Sequence, residues 1–203
     1  MKIICIGLNY KQHILELHSE YPEKPVFFLK PDSCLLKNNK NFWLPNFSQD
    51  IQYEIEIVYK IGKLGKCIQK KFAYRYIESV GLGIDITARD LQNQCKEKRL
   101  PWEISKCFDG SAVVSNFIPI DEIADVNNLN FFLNVNDIRV QTGNSYDMIF
   151  NIFEIIEYVS QFMTLKTGDL IFTGTPRGVG KLAIGDKLIA QFENIELINM
   201  KVL

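Results

Sequence analysis

A chain of 203 residues with a formal net charge of -1 and a pI near 6.2 has the length of one domain able to bury a substantial core. That balance gives no reason to expect a nucleic-acid footprint. Five cysteines without a C-x-x-C pair do not make a disulfide framework and point to reduced thiols in a cytoplasmic protein, and two histidines, His13 and His18, are too few for a His-rich zinc site.

The first residues enter a strand pattern at once, Lys2 to Ile6, which leaves no signal h-region. No apolar run reaches the length needed to span a bilayer, so no membrane partner is expected. Gly7 to Tyr10 reads as a turn and Lys11 to His18 as a short helix. His13 and Glu16 are three residues apart, so on a helix they share a face and can touch. An arbitrary H-x-x-E is most often a surface pair. Its functional alternative is a general base whose imidazole is oriented and made more basic by the carboxylate. A Pro-containing segment, residues 19–25, follows. With so little apolar surface to hold them down, residues 11–24 are expected to form a mobile lid that orders over ligand.

Pro25 to Pro31 predicts a buried strand that closes on Lys30, and Phe42 to Pro45 a short extended piece. Ile51 to Lys60 predicts the strand around which the chain is organised. Tyr53-Glu54-Ile55-Glu56-Ile57 alternates with period two, so both glutamates leave one face, about 6.5–7 Å apart. Asp85 follows the apolar run Val80 to Ile84, interrupted by Gly81 and Gly83, and stands near the end of a second strand. A solvated strand face accounts for most isolated E-x-E pairs. Three acids from two strand ends can instead share one hard divalent cation, whose preferred ligands are carboxylate oxygens, and leave positions open for substrate and water.

A glycine-marked turn is expected at residues 62–65 and a helix over residues 68–78, exposed on its basic aromatic side. Thr87 is placed as the N-cap of a helix running to about Arg99, with Asp90 at its third position. Arg89 then lies in the first turn against the helix dipole, a poor place for stability and a useful one for an anionic ligand. Pro101-Trp102 ends that helix, and Lys106 follows. Residues 111–120 read as strand and 121–126 as a polar turn or short helix. Leu129 to Val135 and Ile138 to Gln141 predict a hairpin around Asn136-Asp137. Asn151 to Met163 is the best amphipathic helix, with Ile152, Ile155, Ile156, Val159 and Phe162 on one side. Strands follow at Leu170 to Thr173, Lys187 to Phe192 and Ile195 to Val202. Nothing divides the chain, so one catalytic domain over residues 1–203 is expected.

Two glycine-rich segments fail as phosphate motifs. In TPRGVGKL, Thr175 stands where the first glycine of a Walker loop belongs and Leu182 where its Ser or Thr belongs. Gly81-Leu82-Gly83 opens like a dinucleotide fingerprint, but Ile86 replaces the third glycine.

Taken in order, GLNYKQHILEL, FFLKP, YEIEI, GIDITARDLQ, LPWEISKCFDG, GDLIFTGTPRGVG and IGDKL resemble the fumarylacetoacetate hydrolase family. They are most similar to its short single-domain branch of acylpyruvate hydrolases and oxaloacetate decarboxylases. The resemblance runs from Gly7 to Asp186. It implies an α+β, mainly β fold, a mixed β-sandwich roll of the family's C-terminal type with a few short helices, in a protein that is usually a homodimer. It implies Mg²⁺ or Mn²⁺ on Glu54, Glu56 and Asp85, and a water-activating dyad of His13 and Glu16 on a lid helix. Lys106 matches a lysine placed in the family's site. Arg89 and Gln92 match contacts to the substrate carboxylate, Thr175 matches a pocket-lining residue, and Lys30 is a further substrate-binding candidate. The activity implied is metal-dependent cleavage of carbon–carbon bonds in small 2-oxo acids, by acylpyruvate hydrolysis or oxaloacetate decarboxylation. The alternatives are a 2-hydroxyhepta-2,4-diene-1,7-dioate-type isomerase and a non-catalytic metabolite-binding member. The chain departs from the family's pattern at Leu8, where members often carry Arg, and around Asp109-Gly110, where some have Thr or Ser.

Overall fold

The computed structural model describes residues 1–16, 18, 20–37 and 40–203. Leu17 of the expected lid helix and Ser19 of the segment after it lie outside the described residues. In chain order, β1 (Ile3–Gly7) leads to α1 (Lys11–Glu16), β2 (Val26–Lys30) and β3 (Leu35–Lys37). The acid-bearing stretch is β4 (Ile51–Tyr53) and β5 (Ile55–Ile61), followed by β6 (Ile77–Asp85) and β7 (Thr87–Ala88). Next are α2 (Arg89–Lys98), α3 (Glu103–Lys106), β8 (Ala112–Val114), β9 (Ile118–Pro119), β10 (Asn130–Val135), β11 (Ile138–Asn144) and α4 (Ile152–Phe162). β12 (Leu170–Phe172), β13 (Gly180–Lys181), β14 (Lys187–Phe192) and β15 (Ile195–Lys201) complete the chain.

The largest sheet has the order β2-β1-β12-β5-β6-β8-β3, with β9 also on β6. It is mixed: β1 with β12 and β3 with β8 run parallel, the other pairs antiparallel. A second sheet, β11-β10-β14-β15, is antiparallel throughout. A small third one, β13-β4-β7, bridges beside it. The main core joins Ile55, Ile57, Tyr59 and Ile61 of β5 to Leu133, Leu188, Ala190 and Ile198 of the second sheet and to the buried stripe of α4. Alternation then sends Val58 to the opposite face of β5. There it packs with Cys5, Ala112, Val114 and Phe172 in a smaller apolar cluster. Glu56 leaves that same second face, so the acids stand at the end of an apolar layer and not on a solvated one.

Several expectations need correction. The strand expected over residues 51–60 is two strands: the chain changes sheets at Glu54, and two bonds replace the ladder there. Asp85 N–H donates to Glu54 O at 2.8 Å and Ile55 N–H to the Gln141 side chain at 2.9 Å. Thr87 is no N-cap. It belongs to β7, paired with Gln52, while Ala88 precedes α2 without a capping side chain and Asp90 is the second helical residue. Local cap chemistry lost to sheet pairing at that position. Residues 68–78 hold a 3₁₀ segment, Lys70–Tyr76, which ends because β6 takes Ile77 into the sheet. Residues 111–120 are two short strands. Phe162 is 59% exposed, beside the Phe27 and Tyr158 rings, although Ile152, Ile155, Ile156 and Val159 are buried as the periodicity requires. The hairpin turns on Asn136 and Asp137, both with positive φ (50° and 66°). α4 begins at a capping box between Asn151 and Glu154.

Candidate active site

The change of sheets at Glu54 turns its carboxylate, Glu56 from β5 and Asp85 from the end of β6 toward one point. One ligand oxygen from each lies within 4.8 Å of the others, and all three residues are buried. Such a cluster in a dry interior repels itself unless cations face it. Lys106 Nζ, brought in by α3, donates to Glu54 Oε2 at 2.9 Å, Asp85 Oδ2 at 2.9 Å and Thr87 Oγ1 at 2.6 Å. Arg89, in the first turn of α2, pairs with the other Glu54 oxygen and donates to Gln52 Oε1 at 2.9 Å and Gln92 Oε1 at 2.5 Å. Lys30 Nζ stands 2.7 Å from Asp85 Oδ1.

The acids therefore differ. Burial raises the Glu54 carboxyl's pKa, but the Lys106 and Arg89 charges outweigh it and hold the group well below the usual carboxylate range. Burial and then the negative charges of Asp85 and Glu54 push Glu56 well above it, against the N–H of Gly174 that donates to Glu56 Oε2 at 2.6 Å. Burial lowers the Lys106 ammonium's pKa, yet Asp85 and Glu54 raise it past its ordinary value, so it stays charged.

Glu54, Glu56, Asp85, Arg89 and Lys106 wall a cavity of about 40 Å³ together with Ile6, Leu8, His13, Phe28, Gln92, Trp102 and Thr175. His13 Nδ1 is 2.9 Å from Glu16 Oε2, and the other Glu16 oxygen accepts the Gly178 N–H at 2.9 Å, tying α1 to the 174–180 loop. That loop approaches so closely that Gly174 (φ 94°) could carry a Cβ only 2.8 Å from Asn9 Cβ. Asn9 itself is buried and holds the backbone of Thr173 and Phe150.

The structure thus gathers nine of the ten residues singled out from the sequence: the three acids, Lys106, Arg89, Gln92, Thr175 and His13 in the cavity wall, with Glu16 behind His13. Lys30 is not at the wall. It is 1% exposed and reaches Asp85 from behind, so it faces the carboxylate and not the cavity.

The fold, the acid cluster and the dyad occur in a chain whose residues 2–202 match the family model described as fumarylacetoacetate (FAA) hydrolase C-terminal. The chain belongs to the fumarylacetoacetate hydrolase family. It is 44% identical over 185 residues, 91% of its length and 85% of the relative's, to a Dictyostelium discoideum protein named oxaloacetate decarboxylase, mitochondrial. It is 38% identical over 200 residues, 98% of its length and 90% of the relative's, to the bovine protein named oxaloacetate tautomerase FAHD1, mitochondrial. Among solved structures it is similar to fumarylpyruvate hydrolase from Pseudomonas aeruginosa in complex with Mn²⁺ and pyruvate. There the TM-score is 0.94 and the identity 32%, covering 100% of this chain and 89% of that one.

As a member of this enzyme family, the chain presents a donor set that suits a hard divalent ion: three carboxylates within reach of one centre and no thiolate or imidazole among them. Sequence reasoning missed Gln141. It is 1% exposed, accepts from Ile55 N–H, and donates to Thr175 Oγ1 and Pro176 O at 2.9 Å each, so one amide sets both the sheet change and the pocket threonine. A lone glutamine in a hairpin strand carries no pattern that would reveal this.

Proposed function

We propose that this protein is a divalent-metal enzyme that cleaves a carbon–carbon bond in small 2-oxo acids, with oxaloacetate the first substrate to test. The carrying observation is charge. With all groups ionised, Glu54, Glu56 and Asp85 are balanced by Lys30, Arg89 and Lys106, so a bound Mg²⁺ or Mn²⁺ leaves two positive charges in a buried cavity. A dicarboxylate neutralises them. The names of the Dictyostelium and Pseudomonas relatives agree with a reaction of this class.

Glu54, Glu56 and Asp85 would hold the ion, which when bound supplies an electrophile for the adjacent carboxylate and 2-oxo oxygens. Arg89, fixed by Gln52 and Gln92, offers its guanidinium to a carboxylate. Lys106 holds positive charge beside the oxygen on which electrons accumulate. In decarboxylation the bond to the leaving carboxylate breaks, its electron pair passes toward the 2-oxo oxygen, and carbon then takes a proton to give pyruvate. In acylpyruvate hydrolysis, His13 takes a proton from water as it attacks the distal carbonyl, while Glu16 holds the ring. The bond from that carbon to the neighbouring methylene then breaks, its electron pair passes toward the 2-oxo oxygen, the carboxylic acid leaves and the methylene carbon takes a proton to give pyruvate. The His13 and Glu16 pair also supports a second reading, a keto–enol shift without bond cleavage, in line with the bovine relative's name.

The test is to incubate the purified protein with Mg²⁺ or Mn²⁺ and oxaloacetate or acetylpyruvate, following pyruvate release and the enol absorbance separately. Metal-dependent pyruvate release is the expected result. Acceleration of the keto–enol exchange alone selects the second reading. No response to any 2-oxo acid with either metal rejects both.

A further inference from the structure

Two aromatic side chains wall the acid-lined cavity on its outer side. Phe28 comes from β2, the edge strand of the main sheet, and Trp102 from the turn before α3. Their rings meet edge to face, 6.1 Å between centroids. Phe28 also lies 5.2 Å below the Lys106 ammonium, and Lys96 Nζ covers the Trp102 ring at 5.7 Å. The wall is therefore held from both ends.

On its far side runs an apolar groove of about 270 Å³, bordered by Phe28 and Trp102 again and by Val26, Leu29, Leu100, Pro101 and Cys107. The cavity of about 40 Å³ has room for roughly three waters at about 10–15 Å³ each, the size of a small acid head group. The two spaces differ in chemistry as well as size. One is ringed by ionised groups, and among the groove's border residues Glu103 alone is charged.

We infer that the Phe28–Trp102 pair sets the length of substrate this site accepts, and that the groove is a latent subsite for the apolar tail of a longer 2-oxo acid. The inference rests on the preceding reading, in which a 2-oxo acid head occupies the acid-lined cavity. The shared rings decide the occupant, because a tail leaving that head toward the groove must pass between Phe28 and Trp102. In the protein as it stands the packed rings confine turnover to short acids. Truncating either ring joins the cavity to a channel that only apolar carbon fits.

The experiment compares kcat/KM for a series of acylpyruvates with linear tails of one to six carbons in the wild type, Phe28→Ala and Trp102→Ala, with metal present. The readout is the ratio of long to short substrate, which cancels any general loss from disturbing Lys106. The wild type should favour the shortest tail, and each truncation should raise the ratio about tenfold or more, on the scale by which pockets discriminate chain length. Adding Leu100→Trp to Trp102→Ala refills the groove from a residue outside the cavity and should return the ratio toward the wild-type value. An unchanged ratio in both truncations overturns the inference. So does a Leu100→Trp chain that changes its oligomeric state in solution and leaves the ratio alone, since the groove is then covered by a second copy. Turnover of short acids with a flat profile removes this inference alone, whereas no turnover of any acid removes the functional reading with it.

Discussion

Lys30 Nζ and Asp85 Oδ1 lie 2.7 Å apart with both side chains sealed from water. Lys30 Nζ also donates to two backbone carbonyls, of Ser111 at 2.7 Å and Ile86 at 3.3 Å, so the ammonium is a fixed counter-charge behind a candidate metal ligand. Removing one partner of a buried pair strands the other. Asp85 keeps Lys106 on its other oxygen, so Lys30→Met should cost less than the ~3–5 kcal/mol of a fully stranded buried charge in urea unfolding with chelator present, and Mg²⁺ or Mn²⁺ should recover part of the loss by neutralising Asp85 instead. A variant of normal stability with a raised KM for the 2-oxo acid would show that Lys30 meets substrate after all.

What could be read from the chain alone divides by range. Period-two alternation placed Glu54 and Glu56 on one face, and i,i+3 spacing placed His13 on Glu16. Both are local geometry. The His13–Glu16 contact holds at 2.9 Å, whereas Glu54 stands between β4 and β5 and meets Glu56 through the change of sheets and not through one continuous strand. The sheet change between Tyr53 and Ile55 was illegible, because it depends on Gln141, 86 residues away, accepting the Ile55 N–H. Thr87 misled for the same reason. Its side chain suits an N-cap, but pairing with Gln52 and a 2.6 Å bond from Lys106 claim it for the sheet and the site. Lys30 is a substrate-binding candidate in the sequence, and only three dimensions show that it faces Asp85 and not the cavity.

Glu56 leads to a prediction about protons. Burial first, and then the charges of Asp85 and Glu54, raise its pKa above the ordinary value of 4.5, so without metal it holds its proton to higher pH than a free carboxyl does. An acid raised on folding stabilises the protein below its unfolded pKa, and that contribution is lost as pH rises through the folded value. The metal-free protein should lose stability with rising pH from about 4.5 upward on this account, and Glu56→Gln should flatten that slope. Metal binding must expel the proton, so affinity should rise with pH, up to about tenfold per unit while Glu56 remains protonated. Titration calorimetry in buffers of different ionisation enthalpy should detect proton release on metal binding, at a pH where Glu56 still holds its proton. A buffer-independent heat would mean that Glu56 is already ionised.

The dyad separates the candidate reactions. His13→Ala removes the group proposed to take a proton from water, a role worth typically 10²–10⁴ in rate for a general base. Acylpyruvate hydrolysis should fall by that order, and oxaloacetate decarboxylation by much less, because the departing CO₂ needs no activated water. Equal losses in parallel assays would assign His13 a step common to both, such as protonating carbon.

Gln141 offers the sharpest test of a residue that acts only through others. Its amide satisfies the Ile55 N–H, the Thr175 hydroxyl and the Pro176 carbonyl at once. Gln141→Leu keeps much of the volume but leaves those groups buried without partners, at about 1–3 kcal/mol for each one that water cannot reach. Melting temperature should fall accordingly. The variant also frees the peptide between Glu54 and Ile55 and the loop that carries Gly174, whose N–H holds Glu56. Metal affinity should therefore weaken along with stability, although Gln141 is not among the acids that would bind the ion. Gln141→Glu keeps the acceptor for Ile55 and loses the donor to Thr175 and Pro176. It should then retain metal affinity better than Gln141→Leu while raising KM, and an identical defect in the two variants would show that the glutamine only fills space.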